Sequence, residues 1–275
     1  MIPVGFSYER PETVDAALAL LAEHGEEATV LAGGHSLLPV MKLRLAAPEL
    51  VIDIGRLAEL GYVRVEGAEI AIGAGTRYRT LVESDVLAAE CALLPAVART
   101  VGDPQVRHRG TIGGALAHGD PAGDLPAAVL ALDGTIVLRS PRGTRSVPVA
   151  EFYTGVFSSV KEPDELLVEV RVPRTGSTGW AYEKFTRRSN DWAIVAVAVA
   201  TLPGGARQIG LVNMGGTPLR ARATEAALAS GASIDEAAAL AAEGTEPPAD
   251  SHGTPEYRRH LVTVLVKRAL RTAAG

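Results

Sequence analysis

The chain has 275 residues, of which 47% are hydrophobic and 21% charged, and its formal net charge is −5. At roughly 150 residues per domain, this length predicts one large globular domain or two modest ones. No apolar run approaches the ~18 residues of a membrane span, and the scattered arginines argue against nucleic acid as the main partner. The single cysteine, Cys91, forbids an internal disulfide and cannot by itself hold an iron–sulfur cluster or a structural zinc. The N-terminal residues show no secretory signal, so we expect a cytoplasmic protein.

The first predicted elements lead to a glycine pair. Residues 11–24 have apolar side chains at helical spacing, with Thr13 as an N-cap and Gly25 as a stop, and so predict a helix. A short β-type run over residues 28–32 follows, then the segment AGGHS (32–36) and an apolar run that could start a helix. The predicted order is therefore strand, glycine turn and short helix.

The middle of the chain mixes strands and helices. Residues 50–57 and 69–75 predict strands with an intervening turn, and residues 85–102 have the periodicity of a helix. After a second glycine-rich segment, GTIVLRS and RSVPV flank PRGT and predict a hairpin, and LLVEVRVP predicts another strand.

A turn-rich stretch, PRTGSTG at 173–179, predicts a domain boundary. Beyond it, WAYEKFTRR, WAIVAVAVATL and ARQIGLVNMGG predict three strands of an antiparallel sheet. The remainder is alanine-rich and predicts helices, including one over residues 254–273.

Two glycine segments stand out, AGGHS at 32–36 and TIGG at 111–114, and each places a glycine pair at the edge of an apolar run. Successive backbone N–H groups in such turns form anion-binding nests, and a following helix N-terminus adds a favourable partial positive charge. Two nests facing each other would suit a pyrophosphate. Two unrelated tight turns would give the same pattern, and the spacing alone leaves both interpretations open.

Other motifs point away from common nucleotide and hydrolase sites. GAGTRY at 73–78 has two glycines of a dinucleotide fingerprint, but Tyr78 holds the third position, and the chain has neither a P-loop nor a GxSxG elbow. His118, Asp120 and Asp124 have ligand chemistry, but they lie in a turn without a complementary cluster, so we predict no metal site. Asp124 is better suited to accept hydrogen bonds from ribose or ribityl hydroxyls.

The segments LAGGHSLLPVMKLR, TIGGALAHGDPAGD and YEKFTRRSNDWA resemble, in this order, the FAD-binding medium subunit of the carbon monoxide dehydrogenase and xanthine dehydrogenase family of molybdenum hydroxylases. The likeness covers nearly the entire chain. It implies an α+β protein with a two-subdomain FAD-binding fold of the vanillyl-alcohol-oxidase type, followed by a C-terminal domain with a three-stranded antiparallel sheet and helices. The FAD-binding domain would span residues 1–175, with subdomains at about 1–55 and 56–175, and the C-terminal flavoprotein domain would span 176–275.

The resemblance also implies which residues bind FAD. The residues that match the family's first pyrophosphate segment, or directly follow it, are Ala32, Gly33, Gly34, His35, Ser36 and Leu37. Those of the second segment are Thr111, Ile112, Gly113 and Gly114. The remaining expected contacts are Val101, His118, Asp124, Leu167 or its neighbour Leu166, Lys184 and Trp192.

Some of these residues have an implied role. Asp124 matches the acidic residue that binds the sugar-like part of FAD, and Trp192 is the aromatic neighbour of the isoalloxazine. Lys184 matches a lysine at the flavin edge, where a cation would stabilise the anionic reduced flavin and raise its potential. Without the resemblance, Lys184 would be interpreted as a surface lysine at a strand end. The flavin is expected to be held noncovalently, with attachment through His35 or His118 as the alternative.

The resemblance predicts an FAD-dependent oxidoreductase subunit that transfers electrons and has no catalytic residue of its own. Its expected partners are a large subunit with a molybdenum cofactor, a small subunit with 2Fe-2S clusters and a small-molecule electron acceptor, in a heterotrimer that dimerises. Association of this complex with the inner face of the membrane is left open. A flavin oxidoreductase that acts alone on a small substrate is the alternative function. A non-enzymatic assembly module ranks lowest, because the glycine segments are intact.

Overall fold

The computed structural model describes residues 2–275. Its first unit consists of β1 (Ser7–Glu9), α1 (Val14–His24), β2 (Ala28–Leu31), α2 (Leu37–Lys42) and β3 (Leu50–Asp53), with short 3₁₀ turns at Gly25–Glu27 and Ala58–Leu60. The three strands form a parallel sheet in the order β1–β3–β2, in which Leu50 pairs with both Ser7 and Ala28. This sheet supplies one wall of the site described below.

The helix predicted at residues 11–24 is confirmed as α1. The Thr13 hydroxyl accepts a hydrogen bond from the Ala16 backbone N–H at 3.1 Å, which satisfies one of the free donors at the helix start. Gly25 ends the helix with φ of 52°, a conformation that glycine adopts readily. The apolar face of α1 packs on β2 and β3.

The second unit surrounds a five-stranded antiparallel sheet. The strands of this unit, five in the sheet and two in a separate pair, are β4 (Val63–Glu66), β5 (Glu69–Gly73), β6 (Thr135–Ser140), β7 (Gly143–Pro148), β8 (Tyr153–Gly155), β9 (Ser158–Ser159) and β10 (Leu166–Pro173). Its helices are α3 (Tyr78–Glu83), α4 (Asp85–Glu90), α5 (Leu93–Arg99), α6 (Pro104–Arg109), α7 (Ile112–His118), α8 (Asp124–Ala131) and α9 (Val149–Phe152). The sheet order is β4–β5–β10–β6–β7, and β8 and β9 pair separately. The predicted hairpin β6–β7 and the predicted strands β5 and β10 are confirmed.

The prediction of one helix over residues 85–102 is wrong, because the chain breaks between α4 and α5. Cys91 has φ of −160° and ψ of 68°, outside the helical region, and forms a β-bridge with Gly176. The Ala92 N–H donates to the Gly176 carbonyl oxygen at 3.2 Å. The break therefore ties these helices to the segment that leads into the third unit.

The third unit consists of β11 (Trp180–Phe185), β12 (Val195–Thr201), β13 (Arg207–Val212), β14 (Leu219–Arg220), α10 (Arg222–Ala229), α11 (Ile234–Ala239) and α12 (Pro255–Ala274). The three predicted strands are present, but the antiparallel sheet has a fourth, two-residue strand in the order β11–β12–β13–β14. Helix α12 packs on β11 and β12, and α8 of the second unit packs on β12 and β13. Since both faces are covered, nearly all of β12 is buried.

Helix α8 approaches the third unit very closely. A Cβ atom on Gly210 of β13 would overlap the Ala127 carbonyl oxygen of α8, so glycine is required there for steric reasons. Asp124 is the first residue of this helix. The contact between α8 and the sheet therefore places the Asp124 side chain at the junction of the two units.

Candidate functional site

A cavity of about 530 Å³ lies between the first and second units. Ligand pockets of this kind commonly measure about 300–1,000 Å³. Eleven of the residues singled out from the sequence line it: Ala32, Gly33, Gly34, His35, Ser36, Leu37, Thr111, Gly113, Gly114, His118 and Leu167. The structure thus brings the two glycine segments, which lie far apart in sequence, to one cavity.

The first glycine segment offers free hydrogen-bond donors. The backbone N–H groups of residues 33–36 donate no hydrogen bond to the described part of the protein. Gly34 has φ of 81°, a left-handed conformation that turns the chain between β2 and α2. Gly33, Gly34 and Ser36 are half-buried and His35 is exposed, so these N–H groups face water or a ligand and the segment is suited to bind an anion.

The second glycine segment differs from the expected nest. Its residues begin helix α7, and their N–H groups bind protein atoms: Ile112 donates to the Thr76 carbonyl at 3.0 Å and Gly113 to the Ala74 carbonyl at 2.9 Å. The Gly114 N–H donates to the Thr111 hydroxyl at 3.1 Å, which caps the helix. In this structure, only the first segment presents a row of unpaired donors.

Steric contacts within the protein explain why side chains are excluded from these segments. A Cβ atom on Gly33 would overlap the Arg109 carbonyl oxygen and lie 2.9 Å from the Gly110 Cα. A Cβ atom on Gly113 would overlap Ala74. Gly33 therefore lets the first segment meet residues 109–110 at backbone distance, and Gly113 lets the start of α7 meet the residue after β5. These contacts shape the cavity.

Five residues singled out from the sequence do not line the cavity: Val101, Ile112, Asp124, Lys184 and Trp192. Ile112 is fully buried in the core of the second unit, and Val101 packs against the same core. Trp192 is 62% exposed. Contact of these side chains with flavin stays a prediction.

Asp124 and Lys184 form a buried ion pair at the junction of the second and third units. The Lys184 Nζ lies 2.8 Å from Asp124 Oδ2, and the two side chains are 9% and 5% exposed. Lys184 also donates to the Thr100 carbonyl oxygen at 3.3 Å, and the Tyr182 hydroxyl donates to Asp124 Oδ1. Burial raises the pKa of Asp124, while Lys184 and Tyr182 favour its charged form.

Tyr78 and Lys161 are among the cavity-wall residues that sequence reasoning missed. Tyr78 begins α3 at the end of the GAGTRY segment, which by its glycines resembles only an incomplete dinucleotide fingerprint. Lys161 precedes β10 in a loop, and its Nζ donates to the carbonyl oxygens of Glu162 at 3.0 Å and Glu165 at 3.3 Å. An aromatic residue three positions after Gly75 could have indicated Tyr78 as a cavity residue, whereas no sequence pattern indicated Lys161.

His118 lies at the end of α7, lines the cavity and contacts the Phe157 ring with centroids 4.8 Å apart. Burial lowers the pKa of His118 below its ordinary value, although Asp120 opposes this shift. Among residues 2–275, no group of three or more His, Cys, Asp or Glu side chains could hold a metal ion. Within the same residues, no helix has the length and apolar composition that crossing a membrane requires.

We expect the flavin-free chain to lose stability as the pH falls from about 8 to about 5, in part through His118. The unfolded chain binds a proton at the ordinary pKa, whereas folded His118 resists protonation, so stability is present above that pKa and lost below it. Urea unfolding across this pH range should therefore give a shallower pH dependence for His118→Gln than for the natural chain. The exposed His252, replaced by Gln, is the matched control and should keep the natural dependence. An unchanged slope in His118→Gln would contradict the prediction.

The residues at the cavity fit a phosphate-bearing ligand, since a row of free N–H groups lies beside a second, tightly packed glycine segment. Apolar residues continue the wall, including Ile54 directly after β3 and Leu167 of β10. The fold and the cavity thus define a class of protein, one that can hold an extended ligand with a phosphate part between a parallel and an antiparallel sheet.

Comparisons with known proteins identify the family within this class. Residues 4–175 match the FAD binding domain in molybdopterin dehydrogenase, and residues 180–273 match the CO dehydrogenase flavoprotein C-terminal domain. The chain is 43% identical to the carbon monoxide dehydrogenase medium chain of Hydrogenophaga pseudoflava, over 99% of this chain and 98% of the relative. It belongs to the family of FAD-binding medium subunits of the carbon monoxide dehydrogenase and xanthine dehydrogenase type, a family of oxidoreductase subunits, and its cofactor is FAD.

Two further comparisons bear on the breadth of this family. The chain is 37% identical to the glyceraldehyde dehydrogenase medium chain of Sulfolobus acidocaldarius over 100% of both chains. It matches the solved carbon monoxide dehydrogenase from Hydrogenophaga pseudoflava that lacks the Mo-pyranopterin moiety of the molybdenum cofactor, with a TM-score of 0.95 and 44% identity. The match covers 100% of this chain and 99% of that one. The predicted family, FAD and the α+β flavoprotein fold are thereby confirmed.

Proposed function

We propose that this chain binds FAD in the cavity between its first two units and transfers electrons within a molybdenum hydroxylase complex. Electrons would arrive from the 2Fe-2S clusters of a small partner subunit, after substrate oxidation at the molybdenum cofactor of a large one, and leave to a small-molecule acceptor. Bound FAD supplies the capacity to take up these electrons and pass them on. The observation that carries the proposal is the row of unpaired N–H groups at residues 33–36, placed in a cavity of sufficient size.

Two observations support the proposal that the substrate is oxidised on a partner subunit and not on this chain. Two relatives that match along their whole length are named for different reactions, carbon monoxide and glyceraldehyde oxidation. What they share with this chain therefore does not select the substrate. The single cysteine of the chain, Cys91, is buried and cannot hold a 2Fe-2S cluster by itself.

We also propose a domain division, in which the third unit forms a separate C-terminal domain. We propose the FAD-binding domain at residues 1–175, with subdomains at about 1–55 and 56–175, and the C-terminal flavoprotein domain at 176–275. The parallel sheet, the five-stranded sheet and the four-stranded sheet fall into these three ranges in turn. Lys184 would then be the residue that the C-terminal domain contributes to the flavin site. The partner subunits would assemble with all three units of the chain, in the cytoplasm.

The effect of Lys184 on bound flavin would be smaller than that of a lone cation. The resemblance places both Asp124 and Lys184 at the flavin, but in this chain the two side chains neutralise each other at 2.8 Å. Opposite charges at this distance present little net field to a third group. We therefore propose that the ion pair fixes the position of the third unit relative to the second, and that it raises the reduction potential of the flavin only modestly.

An electron-transfer experiment tests the proposal. The complex is purified through a tag on the full chain, and the partner subunits are separated from it and reduced with dithionite. After excess reductant is removed, the partners are mixed without oxygen with the FAD-loaded chain. We expect the oxidised flavin bands to bleach, and to recover when an acceptor is added.

Three outcomes would contradict the proposal. Failure of the chain to retain FAD, alone or with its partners, would contradict the proposed FAD site. Flavin bands that do not bleach would show that the reduced partner subunits do not transfer electrons to FAD on this chain. Oxidation of a small substrate by the isolated FAD-loaded chain would favour the alternative of a flavin enzyme that acts alone.

A further inference from the structure

The hydroxyl group of Tyr78 opens to the cavity and has no partner among residues 2–275. The residue is 9% exposed and lines the cavity. Its hydroxyl makes no hydrogen bond to the described part of the chain, whereas those of Tyr62 and Tyr182 bind the carboxylates of Glu169 and Asp124. Because the rest of the side chain is packed in the core and only the cavity is open to it, the partner of the hydroxyl is expected inside the cavity.

The position of the Tyr78 ring indicates which part of the cavity its hydroxyl reaches. The Tyr78 N–H donates to the Gly110 carbonyl at 2.9 Å, and a Cβ atom on Gly110 would lie 2.7 Å from the Tyr78 Cε2. Gly110 is in turn the backbone neighbour of Gly33 in the first glycine segment. The Tyr78 ring therefore lies against Gly110, whose backbone meets Gly33, the first residue of the row of free N–H groups.

The Tyr78 hydroxyl is suited to act as a donor. Burial and the charge of Asp124 both raise the pKa of Tyr78, so the hydroxyl keeps its proton throughout the range in which the protein works. A neutral hydroxyl that donates to an anionic oxygen makes one of the stronger hydrogen bonds found in proteins.

We infer that the Tyr78 hydroxyl donates a hydrogen bond to the diphosphate of FAD, beside the N–H groups of residues 33–36. This inference rests on the proposed binding of FAD in the cavity. Tyr78 then belongs to the cofactor site as a determinant of affinity, and the diphosphate receives donors from two elements, the segment after β2 and the start of α3. The flavin half of the cofactor makes no use of this hydroxyl.

Replacement of Tyr78 by Phe removes only the hydroxyl and tests the inference. The probes are FAD and ADP, each titrated into the full chain after its flavin has been removed. We expect the Kd values of Tyr78→Phe for FAD and for ADP to rise together by roughly tenfold or more, because both probes contain the diphosphate. The unfolding midpoint of the flavin-free variant should stay that of the natural chain, since the hydroxyl has no protein partner to lose.

The chain offers a matched control in Tyr153. The Tyr153 hydroxyl has no partner among residues 2–275 either, but it is buried in the protein and Tyr153 does not line the cavity. Tyr153→Phe should therefore bind FAD and ADP with natural affinity. A loss of affinity common to both variants would indicate a general effect of the deleted hydroxyl and would overturn the inference.

The remaining outcomes separate this inference from the proposed function. Natural FAD affinity in Tyr78→Phe would overturn the inference while FAD binding by the natural chain still stood. Weaker FAD binding with natural ADP binding would place the hydroxyl at the flavin half and would overturn the diphosphate assignment. Absence of FAD binding by the natural chain would overturn the proposed function and the inference with it.

Discussion

Lys184→Met destabilises the flavin-free chain by about 3–5 kcal/mol, the range measured when one partner of a buried ion pair is removed. The substitution keeps most of the volume of the stem but leaves the Asp124 carboxylate in a buried position without its cation. The remaining Tyr182 hydroxyl supplies one hydrogen bond and no compensating charge. Urea unfolding at neutral pH measures the loss as a change in the free energy of unfolding.

Lys267 is the matched control for this substitution. It also forms an ion pair, with Asp235 at 2.9 Å, but its side chain is 38% exposed. Exposed pairs contribute about 0–1 kcal/mol, so Lys267→Met should change stability little. A loss in Lys184→Met no larger than that in Lys267→Met would contradict the prediction.

The pH dependence of Lys184→Met identifies the unpaired carboxylate as the cause. Lys184 lowers the pKa of Asp124 against the effect of burial, so its removal leaves burial to raise that pKa further. An acid with a raised pKa in the folded state holds its proton there, so stability falls as the pH rises through the shifted range. The destabilisation should therefore shrink in acid, and the double variant with Asp124→Asn should regain part of the lost stability.

Local signals in the sequence sufficed for the elements that lead into the site. Helix α1 follows from its apolar spacing and the Thr13 cap, and β2, the glycine turn and α2 follow from a short apolar run interrupted by glycine. The long final helix and the strands β11, β12 and β13 follow from their periodicity. These segments share strong local patterns, which tertiary contacts reinforce and do not overrule.

Tertiary contacts decided the features that the sequence did not reveal. The break at Cys91 depends on its bridge to Gly176, a residue beyond the reach of any local pattern. Strand β14 has two residues, too few to show an alternation. In the TIGG segment, two glycines argued for a loop, whereas the Thr111 cap and packing on Ala74 produce a helix.

The site shows the same division between residue type and arrangement. Asp124 and Lys184 were each singled out, but 60 positions separate them, and their mutual ion pair depends on how α8 packs on the third unit. The similar glycine pairs left two facing anion nests and two unrelated turns both open, and the difference between the segments lies in hydrogen bonds with residues 74 and 76. The sequence motifs therefore identified which residues belong to the site, whereas the hydrogen bonds and ion pairs that these residues form depend on the assembled fold.

Gly33→Ala weakens FAD binding about 10–100-fold, because the new methyl group cannot be accommodated by a side-chain movement. Its Cβ would overlap the Arg109 carbonyl oxygen and lie 2.9 Å from the Gly110 Cα, and both are backbone atoms. The first glycine segment must therefore move away from Gly110, which displaces the free N–H groups of residues 33–36 from the cavity wall. We also expect the flavin-free variant to lose about 1–3 kcal/mol of stability, the usual cost of overpacking.

Titration of FAD into the flavin-free chain gives the Kd, and flavin content after purification gives an independent measure. Gly5→Ala is the matched control, because a Cβ on Gly5 meets no atom within 4 Å and the residue is exposed. If Gly33→Ala retained FAD as well as Gly5→Ala, the backbone contact of Gly33 with residues 109–110 would not set the position of the donors. If affinity fell while stability stayed natural, the displacement would be confined to the donor segment, and Gly33 would serve the geometry of the site more than the packing of the fold.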